Sequence, residues 1–317
     1  MRPIRESGIY AIPEGDYHAD KVCEKPSLSS GVARVLIDRS PLHAWHGHPR
    51  LNPKYKSKDK EEFDFGSACH ALLLEGENRI AIIPFDDYRK DAAKQARDDA
   101  RRQGKYPVLT AKVERVYKMR EEALRALAAC PHFKGLKLTD ARTEQTLVWT
   151  EGTCDEEDGE AFCRARPDAY WSQINVALDY KSTTDASPGV VSRQIARMGF
   201  DFQDAFYRRG LRNVFGVEEP DFLFMFQENE EPFACSFHAC APSMREIAEA
   251  KVSRAIRLWR WMTEHDEGKP WPGYDPRVHF AEAPSWELSQ HMDRMEEEQN
   301  GNPYDPGMLY GGIFERA

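Results

Sequence analysis

The stretch Ala177-Leu178-Asp179-Tyr180-Lys181 decides the fold of this chain. Apolar residues surround its two charged side chains, which is the pattern of a short and largely buried β-strand. Side chains at positions i and i+2 of a strand point to the same face, roughly 6–7 Å apart. We therefore expect Asp179 and Lys181 to project together from a strand over residues 176–182.

A second carboxylate lies before this strand, at Asp168 in the pair Pro167-Asp168. A turn at residues 172–175 joins the two segments, so a tight hairpin would bring Asp168 beside Asp179. Two facing carboxylates repel each other unless a cation lies between them, and oxygen ligands suit Mg²⁺ or, as a substitute, Mn²⁺. The expected ligands are both carboxylates and the backbone carbonyl of Tyr180, with Lys181 near an activated water.

A D-x-K pattern also arises by chance, and an interpretation without any metal site stays open for each of these residues. In that interpretation Asp168 lies in a turn after proline, while Asp179 and Lys181 belong to a solvated strand face. The acidic composition favours the interpretation without a metal site to a small degree, because a formal net charge of −9 is unusual for a protein that binds nucleic acid. Basic clusters at 101–105 and 208–212 could still guide a DNA backbone.

Composition excludes several other classes of protein. The chain has 317 residues, of which 41% are hydrophobic and 31% charged, as in ordinary globular proteins. No apolar run is long enough to cross a membrane, and the N-terminus lacks a secretion signal, so a cytoplasmic protein without a membrane partner is expected. The seven cysteines include no CxxC pair, which argues against a zinc ribbon or an iron–sulfur cluster and favours reduced thiols.

The periodicity of apolar residues predicts a single mixed α/β domain, with one central β-sheet flanked by helices. Residues 1–140 are expected to be mainly helical, 141–265 to form an αβββαβ-type catalytic core, and 266–317 to be a C-terminal extension. A charged linker at 54–62 and an acidic turn at 155–159 interrupt this order. One predicted helix begins at Ser27-Leu28-Ser29-Ser30 and ends at Ser40-Pro41. Six others are predicted at 65–75, 86–102, 111–129, 188–198, 200–215 and 243–263. The predicted strands are 143–150, 161–171, 176–182, 222–227 and 233–239.

Four further residues are unremarkable alone but informative in their order. His70 lies on an apolar helix after Gly66, and Glu144 lies on the first strand of the predicted core. Gln203 and Tyr207 are four positions apart, so they share one face of a helix. Taken singly, each fits an ordinary core or surface position. His43, His46 and His48 do not share a helical face and are predicted to lie in a surface loop.

This order, G-x3-H, then Glu, P-D, D-Y-K and Q-x3-Y, resembles the PD-(D/E)xK nuclease superfamily, and within it the RecB-like exonuclease branch. The segments Gly8-Ile9-Tyr10, Tyr17-His18 and Ser27-Leu28-Ser29-Ser30 look more narrowly like the exodeoxyribonuclease VIII (RecE-type) nuclease domain of phages and prophages. The resemblance spans roughly residues 8–271. It implies a restriction-endonuclease-like core. The chain departs from many relatives in having Asp179 where they have Glu, and it lacks the cysteines of the iron–sulfur branch.

The resemblance also implies roles for the residues that match its motifs. His70, Asp168 and Asp179 would bind the metal, Lys181 would be the catalytic lysine, and Glu144 would be a further member of the catalytic set. Gln203 and Tyr207 would contact the DNA strand or support the lysine. Relatives of this type use Mg²⁺ to degrade linear double-stranded DNA 5′ to 3′, leaving 3′ overhangs for recombination. A single-strand annealing partner and a homo-oligomeric ring around the duplex are further expectations of the resemblance.

Two other interpretations remain open at this point. One is a structure-specific or endonucleolytic enzyme of the same superfamily, because the metal centre is shared and only the surrounding channel sets end-dependence. The other is a catalytically idle DNA-binding protein of the same fold. In the C-terminal region, Trp259, Trp261 and Trp271 are predicted to pack the core or a subunit contact, and the acidic stretch 292–300 is predicted to avoid DNA.

Overall fold

A computed structural model of the chain describes residues 3–56, 64–152, 160–265 and 268–301. The predicted acidic turn at 155–159 and most of the predicted linker at 54–62 lie outside these residues. The chain divides into two compact units, Met1–Gly273 and Tyr274–Ala317. None of the helices in the described ranges combines the length and apolar composition that a membrane crossing requires.

The first unit contains both strands and helices along its length. The strands are β1 Gly8–Tyr10, β2 Leu28–Ser29, β3 Ile80–Ile83, β4 Tyr106–Leu109, β5 Arg142–Thr143, β6 Thr146–Gly152, β7 Glu160–Ala165, β8 Ala169–Trp171, β9 Val176–Thr183, β10 Asp221–Glu228 and β11 Cys235–His238. The helices are α1 Glu14–His18, α2 Ser30–Asp38, α3 Pro41–His46, α4 Asp64–Leu74, α5 Asp91–Arg102, α6 Thr110–Ala129, α7 Pro188–Met198, α8 Phe200–Phe215, α9 Pro242–Glu264 and, in the second unit, α10 Ser285–Asn300.

A five-stranded mixed sheet lies at the centre, in the order β11-β10-β9-β8-β5. Strands β9 and β10 are parallel and their neighbours antiparallel. Alternate residues face opposite sides. Ala177 and Phe224 pack in a core cluster with α2, α7, α8 and α9, whereas Leu178 and Met225 pack in a second cluster with α4 and α6. The predicted central sheet with helices on both faces is therefore confirmed.

The N-terminal part contains strands that the sequence did not reveal. Strands β1 and β2 join β6 and β7 in a four-stranded sheet of order β1-β6-β7-β2, and β3 and β4 form a separate parallel pair. These strands have only two to four residues, too few for a period of two to show in the sequence. The sequence predicted a mainly helical region, and these short strands are an addition to that prediction.

Both strands that were predicted as continuous before β9 are interrupted. The strand predicted at 161–171 is divided into β7 and β8, and the strand predicted at 143–150 is divided into β5 and β6. Pro167 lies in the first break, where it has no N–H to continue the ladder. The four pieces nevertheless form one long bent hairpin, because Thr143 pairs with Ala169 and Leu147 with Ala165 in a single register. The bend carries the hairpin from the five-stranded sheet into the four-stranded sheet.

A buried polar cluster anchors the N-terminal segment to β7. Arg164 Nη1 donates to Asp20 Oδ1 at 2.7 Å, and the Ser27 N–H donates to Asp20 Oδ2 at 2.9 Å. His48 Nε2 lies 3.3 Å from the same Oδ2, and the side chain is fully buried. Burial lowers the pKa of His48 to about 4, so it is neutral near pH 7. The predicted surface loop was therefore wrong for His48, while His43 and His46 belong to α3.

Helix α8 approaches the four-stranded sheet closely at Gly210. A Cβ at this position would lie 2.7 Å from Cζ3 of Trp149, a fully buried ring on β6. We predict that Gly210→Ala lowers the free energy of unfolding by about 1–2 kcal/mol, because overpacking of about 1–3 kcal/mol exceeds the gain in helix propensity of up to about 1 kcal/mol.

Urea denaturation provides the measurement, and Gly189→Ala in α7 is the matched control, because its Cβ would meet no atom within 4 Å. The control should be neutral or slightly stabilised. Equal stability of both variants would contradict the close approach of α8 to Trp149.

Candidate metal centre

Glu144 and Asp168 lie opposite each other in the bend of the long hairpin. The register on either side of the bend pairs their positions, and the Glu144 N–H donates to the backbone carbonyl of Asp168 at 3.1 Å. Glu144 has a φ of +52°, a left-handed conformation that is uncommon for residues other than glycine. Glu144 was expected on a strand and instead lies in the break between β5 and β6. Strained backbone of this kind is concentrated at functional sites.

His70 completes a group of three ligand-type side chains. Its Nε2 atom lies 3.1 Å from Asp168 Oδ2 and 3.7 Å from Glu144 Oε1. One ligand atom from each of the three residues lies within 4.8 Å of the other two. Helix α4 carries His70 close to β9, and Gly66 allows that approach, because a Cβ there would lie 3.0 Å from Ser182 Oγ.

Asp179 and Lys181 project from the same face of β9, as the spacing predicted. They form a direct ion pair, and Gln203 Nε2 from α8 donates to Asp179 Oδ1 at 2.5 Å. The Lys181 ammonium also lies 4.9 Å from the centre of the Phe200 ring, a cation–π contact. Asp179 is therefore held by Lys181 and Gln203, and its carboxylate is outside the group formed by His70, Glu144 and Asp168.

The backbone of Tyr180 connects Asp168 to the strand of Asp179. The Tyr180 N–H donates to Asp168 Oδ2 at 2.7 Å. The Tyr180 side chain points to the other face of the sheet, where its hydroxyl donates to Gln227 Oε1 at 2.6 Å. The participation of the Tyr180 carbonyl in metal binding stays a prediction.

The site opens into a cleft of about 490 Å³ that includes residues from five elements and the bend. Tyr207 contributes to its wall from α8, one turn after Gln203, and the side chain is 7% exposed. Gln203 and Tyr207 thus reach the site together, although the amide of Gln203 contacts Asp179. Their contact with DNA stays a prediction.

Arg166 and Tyr17 line the cleft without having been assigned a role from the sequence. Arg166 Nε lies 3.9 Å from Glu144 Oε2, and its guanidinium lies 5.0 Å from the centre of the Tyr17 ring. Arg166 also donates a hydrogen bond to the carbonyl of Ile12. A sequence signal did exist, because Arg164 and Arg166 occupy alternate positions just before Pro167-Asp168.

A polar bridge joins two walls of the same cleft. Arg79 Nη2 lies 2.8 Å from Glu14 Oε2, and the Tyr106 hydroxyl donates to Glu14 Oε1 at 2.9 Å. Arg79 Nε also pairs with Glu75 Oε2 at 2.9 Å. Helix α1 is thereby connected to the end of α4 and to β4 across one side of the cleft.

Burial and mutual repulsion set the charge states of the acidic groups. Burial and the nearby Asp168 raise the pKa of Glu144 to about 8, and burial raises the pKa of Asp179 to about 6 against the opposing effect of Lys181. Burial alone would lower the pKa of His70, but Asp168 and Glu144 outweigh it and raise the pKa to about 9. The pKa of Asp168 is lowered, because His70, Lys181 and the Tyr180 N–H together outweigh its burial.

The arrangement fits a divalent cation. Within the described residues, the buried Glu144 Oε1 accepts no hydrogen bond, and Asp179 Oδ2 has only its ion pair with Lys181. Carboxylate oxygens with one imidazole nitrogen are ligands suited to Mn²⁺ and, through the oxygens, to Mg²⁺. A cation in the group formed by His70, Glu144 and Asp168 would offset the repulsion between the two carboxylates and replace the proton of His70.

Comparisons with known proteins give a family model that covers most of this chain. The model of the PDDEXK-like domain of unknown function (DUF3799) matches residues 38–274, which include every candidate site residue named from the sequence. A solved structure named "Putative exonuclease", from Eubacterium rectale, is similar at 13% identity and a TM-score of 0.46, over 79% of this chain and 87% of that one. The structure of SSO0001 is similar at 11% identity and a TM-score of 0.26, over 63% of this chain and 87% of that one. No curated protein matches the chain significantly.

We predict that Glu144→Gln stabilises the metal-free protein. A carboxyl whose pKa is near 8 in the folded state and about 4.5 in the unfolded state opposes folding once the pH exceeds about 4.5, and this opposition grows until the pH reaches about 8. Removing the charge should raise the free energy of unfolding at pH 8 by about 1–3 kcal/mol in EDTA. The additional stability that Mn²⁺ confers should be smaller in the variant.

Chemical denaturation with EDTA or with Mn²⁺ measures both effects. Glu246→Gln, at an exposed position on α9, is the control and should change neither quantity. If Glu144→Gln behaved like the control in both conditions, Glu144 would not belong to the metal-binding group.

Proposed function

This chain belongs to the family of the PDDEXK-like domain, and we propose that it is a metal-dependent exonuclease that degrades linear double-stranded DNA. Membership of this family confirms the predicted PD-(D/E)xK core and supports a nuclease. The observation that carries the proposal is the convergence of His70, Glu144 and Asp168 beside the ion pair of Asp179 and Lys181 in one cleft.

Mg²⁺ is the proposed cofactor, and Mn²⁺ is expected to substitute for it. His70, Glu144 and Asp168 would hold the cation, and Asp179 would complete the set if its carboxylate turned from Lys181. When bound, the cation supplies Lewis-acid stabilisation of the phosphoryl charge and lowers the pKa of water. The buried position of the carboxylates strengthens their attraction for a cation, because the surroundings screen charge less than bulk water does.

Lys181 is the proposed catalytic lysine. Its side chain lines the cleft and its ammonium is positioned by Asp179 on one side and by the Phe200 ring on the other. From this position it can offset negative charge on the scissile phosphate and orient the attacking water. Gln203 restricts the Asp179 carboxylate through its hydrogen bond, so it positions Lys181 indirectly.

The exonucleolytic character and the 5′-to-3′ polarity rest on the resemblance to RecE-type domains. The bridge from Glu14 to Arg79 and Tyr106 connects α1 to β4 at one side of the cleft, and a connection there would restrict the passage of a continuous duplex. The resemblance also leads us to propose 3′ overhangs as the product, recombination as the process, and a single-strand annealing protein as partner. Assembly into a ring, and action in the cytoplasm of a bacterial or phage-infected cell, are proposed on the same basis.

We predict that Lys181→Ala lowers the rate of DNA hydrolysis by about 10²–10³-fold, as expected for loss of a group that stabilises transition-state charge. Digestion of a linear duplex labelled at its 5′ or 3′ end, with Mg²⁺ or with EDTA, measures the rate, the polarity and the metal requirement. Lys94→Ala is the control, since Lys94 pairs with Asp91 on α5 and does not line the cleft.

Other outcomes of this experiment distinguish the competing functions. Full activity of Lys181→Ala would remove Lys181 from the mechanism. Cleavage of a covalently closed circle as fast as of the linear form would favour an endonuclease. Binding of Mn²⁺ and DNA without any hydrolysis would favour a DNA-binding protein that has lost catalysis.

A further inference from the structure

Helix α9 carries an exposed basic surface that the metal centre does not use. A shallow groove of about 410 Å³ is lined by residues of this helix alone, Arg254, Arg257, Leu258, Arg260 and Trp261. Arg254, Arg257 and Trp261 are exposed and recur at intervals of three and four residues, so they share one face of the helix. We call Arg254, Arg257 and Trp261 the α9 surface.

The two arginines of the α9 surface have no acidic partner among the described residues, although the chain as a whole is acidic. By contrast, the half-buried Arg212 of α8 pairs with Glu249 of α9 at 2.6 Å. Glu264, one turn after Trp261, is paired with Lys25 at 3.1 Å. The α9 surface therefore keeps its positive charge and is suited to an anionic ligand.

Trp261 adds a flat aromatic surface to this charge. The sequence predicted that Trp261 packs the core or a subunit contact. It does not pack in the core of this chain, because 53% of it is exposed, whereas Trp259 and Trp271 are buried against each other. The Trp261 ring stacks on His265, with ring centres 4.6 Å apart and planes inclined by 20°. This stack fixes one face of the indole, and the exposed part of the ring can stack with another planar group.

We propose that the α9 surface binds single-stranded DNA, with the two arginines on consecutive phosphates and Trp261 stacked on a base. Proteins that bind single strands combine cations along the backbone with aromatic rings against the bases. A duplex would keep its bases stacked inside and leave Trp261 unused. The inference rests on the proposed nuclease function for its biological meaning, because resection of one strand produces a single strand beside the enzyme.

Binding can be measured separately from catalysis. Fluorescence anisotropy of a labelled 20-nucleotide single strand, with Lys181→Ala protein in EDTA, reports affinity without cleavage. The double variant Arg254→Glu and Arg257→Glu should bind at least tenfold more weakly, and its dependence on salt should fall by about 1.4 in the slope of log K against log salt, as loss of two phosphate contacts implies. Trp261→Ala should lose about tenfold, and Trp261→Phe should recover most of the loss.

The control matches the change in charge. Arg89→Glu with Lys90→Glu alters the net charge equally at exposed positions before α5 and should retain binding. Equal losses in the control, or unchanged binding in the α9 variants, would overturn the proposal. A change in oligomeric state of the α9 variants without a change in DNA affinity would also overturn it, in favour of a protein interface.

Hydrolysis of a small phosphodiester, thymidine 5′-monophosphate p-nitrophenyl ester, tests the metal centre alone. The α9 variants, made with Lys181 intact, should retain the wild-type rate on this substrate. Wild-type hydrolysis of the ester without binding of the single strand would overturn the α9 proposal and leave the nuclease proposal in place. Binding that depends on the α9 surface, without hydrolysis of the ester, would overturn the nuclease proposal and leave the α9 proposal in place.

Discussion

The hydrogen bond from the Tyr180 N–H to Asp168 Oδ2 connects the bend of the long hairpin to the strand that carries Asp179 and Lys181. Pro167 cannot donate to the ladder, so the sheet opens just where the Asp168 side chain must turn inward. The Asp168 carboxylate then accepts a hydrogen bond from the Tyr180 N–H of the neighbouring strand β9. An interruption of the β-ladder that would otherwise leave a buried N–H without a partner thus supports the carboxylate of Asp168, a proposed metal ligand.

The same bend accounts for the concentration of charge at the site. Because the register continues across the bend, Glu144 on one arm of the hairpin lies opposite Asp168 on the other arm. Burial makes this repulsion stronger than it would be in water, and His70 offsets only part of it. The surrounding fold must hold the two arms together. The buried ion pair of Arg164 with Asp20 connects one arm to the N-terminal segment, and Arg164 lies three residues before the proline.

The sequence was informative where a local rule applies. The alternation of side chains on a strand placed Asp179 with Lys181, and helical spacing placed Gln203 with Tyr207. The breaks at Glu144 and Pro167 were missed because the bend depends on which sheet each arm of the hairpin joins, and no local sequence pattern records that choice. His48 was misplaced for a similar reason. Its partner Asp20 is distant in the chain, and no periodic pattern marks a single buried histidine among polar residues.

A net charge of −9 is compatible with DNA binding when the range of electrostatic forces is considered. Exposed charges separated by more than about 8–10 Å are largely screened at physiological salt, so a DNA strand responds mainly to the groups nearest to it. In the cleft these groups are Lys181, Arg166 and the carboxylates that a divalent cation would neutralise. On α9 they are two arginines for which the described part of the chain supplies no acidic partner. The acidic residues elsewhere then repel DNA from the rest of the surface and restrict its contact to these places.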